Sequence, residues 1–125
     1  MNSKEKYVII ADDNEFFSNV FSTEFTKSGY KTDVVANGQQ VLDLAERQRP
    51  DLIILDLIMP VKDGFDTLTE LKNNEKLKDV NVVVLSNLGQ SEDIEKAKRL
   101  GAAGYIIKKD LAIKDLFSEV SKYLE

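Results

Sequence analysis

The chain has 125 residues, 42% of them apolar and 31% charged, which is the size and balance of one globular domain. Its formal charge of −5 argues against a nucleic-acid or anionic-membrane surface, since phosphate binding is carried by Lys and Arg. Cysteine and histidine are both absent, which removes disulfides, thiolate and imidazole metal ligands, a Cys nucleophile, histidine acid–base catalysis and a self-phosphorylating histidine.

The first apolar run spans residues 7–11. Phe16, Phe17, Val20, Phe21 and Phe25 then make one face of a helix, and Gly29 stands where its C-cap would be. A second run at 31–36 is made more polar by Thr32 and Asp33, which suits an edge strand. Asn37 with Gln40 three residues on reads as a capping pair for the second helix, which Pro50 follows. The third run is 52–56 and the fourth 80–85. Ser91, Glu92 and Asp93 put a cap and two acids at the start of a fourth helix. Over 91–100 only Ile94, Ala97 and Leu100 are apolar, so this helix is expected to be weakly anchored. Gly101 marks its end, the fifth run covers 104–107, and Ile113, Leu116, Phe117, Val120 and Leu124 outline a final amphipathic helix.

The runs are rich in β-branched residues and do not alternate, as expected of strands covered on both faces. Strict alternation of strand and helix with short connections predicts an α/β fold, a single five-stranded parallel sheet with right-handed crossovers and five helices. The strand order 2-1-3-4-5 is taken from the flavodoxin-like doubly wound class and is not fixed by the residues. Residues 1–125 are expected to form one domain, with no effector domain after the fifth helix. No apolar run is long enough to span a bilayer and no signal-peptide stretch precedes the first strand, so the expected location is cytoplasmic.

Asp12 and Asp13 follow directly on the first run, and Asp56 ends the third. Ligands of open parallel sheets bind beyond the carboxyl ends of strands, where the strand order reverses. With strands one and three adjacent, these three acids converge there. Three like charges in one cleft are costly without a cation, and an all-oxygen set suits Mg²⁺. Any one of these acids alone is explained as a helix cap or strand terminator; the trio is not. Ser86 and Lys108 stand directly after the fourth and fifth runs, so a hydroxyl and an ammonium project at the same edge. Both are groups that hydrogen-bond or neutralise phosphoryl oxygens.

This ordered set resembles the receiver domain of two-component response regulators, of the stand-alone, chemotaxis-regulator-like kind. The matching residues are Asp12-Asp13, Asp56 in Asp56-Leu57-Ile58-Met59-Pro60, Gly64, Ser86, Tyr105 and Lys108. The resemblance implies that Asp56 takes a phosphoryl group from a partner histidine kinase or phosphotransfer protein. It implies that Asp13 binds Mg²⁺ directly, Asp12 mainly through water, and the Ile58 carbonyl as a further ligand. Lys108 would pair with Asp56 and then with the phosphoryl group, Ser86 would hydrogen-bond that group, and Tyr105 would be a switch aromatic following Ser86 inward. Gly64 would allow the tight turn into the third helix. The output would be a contact with a downstream protein through the fourth helix, fifth strand and fifth helix, by a monomer or a phosphorylation-dependent dimer, with no direct nucleic-acid binding.

The chain departs from that pattern in places. Lys109 stands where the family often has proline, Asn87 where a small residue usually follows the strand-four hydroxyl, and Ala103 and Gly104 where one DNA-binding branch carries acids. Other classes fit less well. An aspartyl phosphohydrolase would want an acid two residues after the nucleophile, where Ile58 stands. An FMN site would want hydroxyls or glycines where this chain has Asp12-Asp13-Asn14-Glu15. A degenerate receiver would not need the full acidic set with Ser86 and Lys108.

Overall fold

A computed structural model describes residues 6–124. Strand β1 (Tyr7–Ala11) is followed by α1 (Glu15–Lys27), β2 (Lys31–Val35), α2 (Gly38–Arg47), β3 (Leu52–Leu55), α3 (Gly64–Lys72), β4 (Asn81–Ser86), α4 (Ser91–Arg99), β5 (Gly104–Ile107) and α5 (Ile113–Ser121). All pairings are parallel and the order is β2-β1-β3-β4-β5. Every strand begins within a residue of where its apolar run begins in the sequence.

The sheet is covered on both sides, which is why its strands read as continuous apolar runs. Tyr7, Ile9 and Ala11 face one layer with α2, α3 and α4, through Val41, Ala45, Leu68, Leu71 and Ala97. Val8 and Ile10 face the other, with α1 and α5, through Phe21, Phe25, Leu116 and Val120. The edge assignment of β2 is borne out by its half-exposed pattern, and Asp33 finds a partner there in the Tyr7 hydroxyl at 2.6 Å. Burial and that hydrogen bond to a carboxylate push the Tyr7 phenol pKa upward.

Punctuation largely follows the sequence. Gly29 and Gly101 take φ values of +93° and +109°, the left-handed region that favours glycine after a helix. At α2 the Asn37 side chain accepts from the Gln40 N–H at 2.9 Å, while the Gln40 side chain accepts from the Ala36 N–H at 3.0 Å. The pair therefore works one residue further out than a capping box. At α4 the expected cap is displaced. Ser91 is the first helical residue, and the N-cap is Gln90, which makes no side-chain cap hydrogen bond. Gln90 has the extended backbone of a cap (φ −72°, ψ 142°) but not a side chain suited to one. Glu92 and Asp93 do lie in the first turn, and Ala97 is the one buried residue of the helix.

Candidate functional site

The ends of β1 and β3 bring the three acids together. Asp56 donates its backbone N–H to the Ala11 carbonyl at 3.0 Å, so the first residue after β3 lies beside the last residue of β1. One carboxylate oxygen from each of Asp12, Asp13 and Asp56 lies within 4.8 Å of the others. Asp12 and Asp56 are buried and Asp13 is exposed.

The two buried carboxylates are held in place. Asp12 Oδ1 accepts the Asn14 N–H at 2.9 Å, and Ser18 Oγ donates to the Asp12 carbonyl at 3.0 Å. Asp56 Oδ1 accepts the Leu57 N–H at 2.8 Å. The Asp12 pKa is raised, chiefly because burial disfavours its charge; hydrogen bonds from Lys108 and Asn14 oppose the rise.

Lys108 enters this cluster from the end of β5, as the first residue of a short 3₁₀ turn, Lys108–Asp110. Its side chain is 6% exposed, and its Nζ lies 2.6 Å from Asp12 Oδ2 and 3.5 Å from Asp56 Oδ2. The sequence pointed to Asp56 as its partner; the shorter contact is to Asp12. Neighbouring Lys109 is exposed and faces an outer groove with Asn87 and Ile107.

Ser86 and Tyr105 meet at a common residue. The buried Ser86 hydroxyl accepts the Leu88 N–H at 3.3 Å, and the half-buried Tyr105 hydroxyl donates to the Leu88 carbonyl. Burial, with Asp93 and Asp56 nearby, pushes the Tyr105 phenol up to about 12. The Asn87 side chain, between them in sequence, is exposed.

The loop after Asp56 is tightly folded. Ile58 is exposed at 60%. Lys62 donates its N–H to the Pro60 carbonyl at 2.7 Å, and the intervening Val61 has φ +68°. That is the rarer, strained hand of γ-turn, adopted here by a β-branched residue. Gly64 is required by close approach: a Cβ there would lie 2.4 Å from the Asp56 carbonyl oxygen and 2.6 Å from Leu57 Cα. Its contribution is to let α3 start against the end of β3, with Gly64 N–H donating to the Leu57 carbonyl at 2.9 Å. The turn itself is carried by Val61.

Sequence reasoning thus anticipated every acid, Ser86 and Lys108 at one sheet edge. It missed Asn14 and Ser18, which fix Asp12, and Phe17, whose ring centroid lies 4.7 Å from Lys108 Nζ. In the sequence Phe17 reads only as part of an apolar helix face. Its proximity to the acids in sequence was the available signal.

Comparison with known proteins places these features in a family. The family described as Response regulator receiver domain matches residues 8–121. Sporulation initiation phosphotransferase F of Bacillus subtilis (strain 168) is 33% identical over 124 residues, spanning 99% of this chain and 95% of the relative. The Mn(2+)-bound form of response regulator Rcp1 superimposes with a TM-score of 0.83 at 29% identity, over 96% of this chain and 95% of that one. The phosphorylated cyanobacterial phytochrome response regulator RcpA gives a TM-score of 0.85 at 28% identity, over 95% and 91%. The matched residues take in all three acids, Ser86 and Lys108, and on these grounds the chain belongs to the response regulator receiver domains, which are phosphoacceptor signalling domains rather than enzymes in the ordinary sense.

Proposed function

We propose that Asp56 is the phosphoacceptor, charged by phosphohistidine on a histidine kinase or phosphotransfer protein. The observation that carries this reading is the buried Lys108 ammonium shared between Asp12 and Asp56 at the switch point of the sheet. An Asp56 carboxylate oxygen attacks phosphorus, the P–N bond breaks, and its electron pair leaves with the imidazole, which takes up a proton. The product is an acyl phosphate. Such a transfer needs positioning and charge stabilisation more than covalent help from the protein. The Leu57 N–H fixes one carboxylate oxygen, leaving the other towards Lys108. Lys108 then moves from Asp12 to the developing phosphoryl oxygens, where a preplaced cation is most valuable.

The donor set fits a hard cation, since it is all oxygen and brings one carboxylate oxygen from each of three acids within 4.8 Å of the others. Asp12, Asp13, Asp56 and the Ile58 carbonyl would hold Mg²⁺, whose charge offsets that of the phosphoryl oxygens. The Mn(2+)-bound Rcp1 and the phosphorylated RcpA support this reading of the pocket. The chain promotes its own phosphorylation and dephosphorylation and turns over no separate substrate.

Ser86 transmits the change. To donate its O–H to the phosphoryl group the Ser86 hydroxyl moves towards it, drawing along or releasing the Leu88 N–H that it accepts, and Leu88 is also what Tyr105 holds. Loop and ring therefore shift together, altering the α4–β5–α5 face presented to a downstream protein. The test is intact mass after incubation with a small acyl phosphate, with and without Mg²⁺. One Mg²⁺-dependent phosphoryl adduct is expected on the parent and none on Asp56→Asn. An equal adduct on that variant would remove Asp56 from its role.

A further inference from the structure

Lys108 has a third neighbour besides its two carboxylates. Phe17 lies in the first turn of α1, and the Asn14 side chain that caps this helix accepts the Phe17 N–H itself at 3.2 Å. The cap that starts the helix also fixes where the ring begins. Phe16 meets the Phe17 ring edge-on at 6.0 Å, and Phe21 backs it at 6.3 Å. Phe21 in turn stacks on Phe117 of α5 at 6.4 Å. The ring is thus braced by an aromatic row that runs away from the site.

A cation near an aromatic face is attracted by the ring quadrupole, more strongly when little water competes, and Lys108 is almost fully buried. The two carboxylates pull this ammonium in different directions, and the nearer one is Asp12, not Asp56. The attraction of a ring is less directional than a hydrogen bond, so the ammonium can turn from one acid to the other without losing it. We infer that Phe17 is a positioning residue for phosphoryl transfer: its ring is the fixed wall that keeps the Lys108 ammonium within reach of Asp56 while its pairing shifts. This rests on Asp56 being the acceptor.

The test uses the full chain as Phe17→Leu, Phe17→Tyr and, as a control from the same aromatic layer that does not back the Phe17 ring, Phe25→Leu. Two quantities are read: the rate of Mg²⁺-dependent adduct formation from acetyl phosphate, and the NMR shift of the Lys108 Cε protons without phosphodonor. Phe17→Leu is expected to slow the adduct by about 3- to 10-fold, with Phe17→Tyr within about twofold of the parent. Phe17→Leu should also abolish the ring-current shift on Lys108, and Phe17→Tyr should keep it. Phe25→Leu should lower stability and leave both readouts in place. The inference is overturned if Phe17→Leu retains the parental rate or shift, if Phe17→Tyr falls as far as Phe17→Leu, or if Phe25→Leu slows the adduct equally. If the parent itself forms no adduct on Asp56, the acceptor reading fails and this one with it. A normal parental adduct with no Phe17 effect overturns the positioning role alone.

Discussion

Asp13 is the exposed member of a cluster whose other two acids are buried, and no hydrogen bond to its side chain accompanies that exposure among the described residues. Its charge adds repulsion without a fixed local partner, whereas Asp12 has Lys108 and Asn14. Asp13→Asn should therefore stabilise the metal-free protein by a few degrees in thermal denaturation, while weakening Mg²⁺ binding by at least about tenfold. A metal-free variant that melts below the parent would contradict the first half. Tyr105 offers a second test through its titration. Its phenol is raised from 10.0 to about 12, so the neutral form is favoured by the fold. The stability this contributes is full below pH 10 and is lost as pH rises through 12. The difference in ultraviolet titration between parent and Tyr105→Phe should show a tyrosine ionising near 12; one ionising near 10 would mean the ring is not buried beside Asp93 and Asp56. Residues with chemistry in their side chains were legible because strand ends announce themselves. Phe17 and Ser18 were not, because an apolar ring and a small hydroxyl on a helix face look the same whether they serve a core or a site.

Among the α-helices, α4 is the most lightly held. It buries Ala97 alone and begins at Gln90 without a side-chain cap. A tie to its neighbour comes from Lys96, whose Nζ lies 4.2 Å from the Phe65 ring centroid on α3. Gln90→Asp supplies the missing acceptor and should stabilise the helix by about 1 kcal/mol. Amide exchange should then show added protection confined to α4. Equal protection across the sheet would mean that α4 does not open separately from the rest. The looseness of this helix could be read from its charge-rich sequence. The position of its cap could not, because a serine beside two acids reads the same one residue to either side, and only backbone geometry separates cap from first turn. The same limit applies to the loop after Asp56, where Gly64 drew attention as the turn residue although Val61 takes the positive φ.

At the scale of the whole molecule, the number, type and parallel arrangement of the strands follow from local pattern, but their order does not. Nothing in β1 alone says that it lies between β2 and β3; that depends on how crossovers pack. The resulting sheet separates the interior into two layers that share strand backbone and few side chains. Phe25 lies in the α1–α5 layer and Leu68 in the layer of α2, α3 and α4. Free energies of substitution should therefore be additive across the sheet and coupled within a layer. Phe25→Leu combined with Leu68→Ala should give the sum of the single effects to within about 0.5 kcal/mol. Phe25→Leu combined with Phe117→Leu, whose rings are 4.8 Å apart, should depart from the sum by at least about 0.5 kcal/mol. Comparable coupling in both pairs would show that the sheet transmits strain from face to face. If instead the layers are independent, the α1–α5 side can accumulate stabilising substitutions around Phe25 and Phe117 without disturbing how α2, α3 and α4 pack on the opposite face.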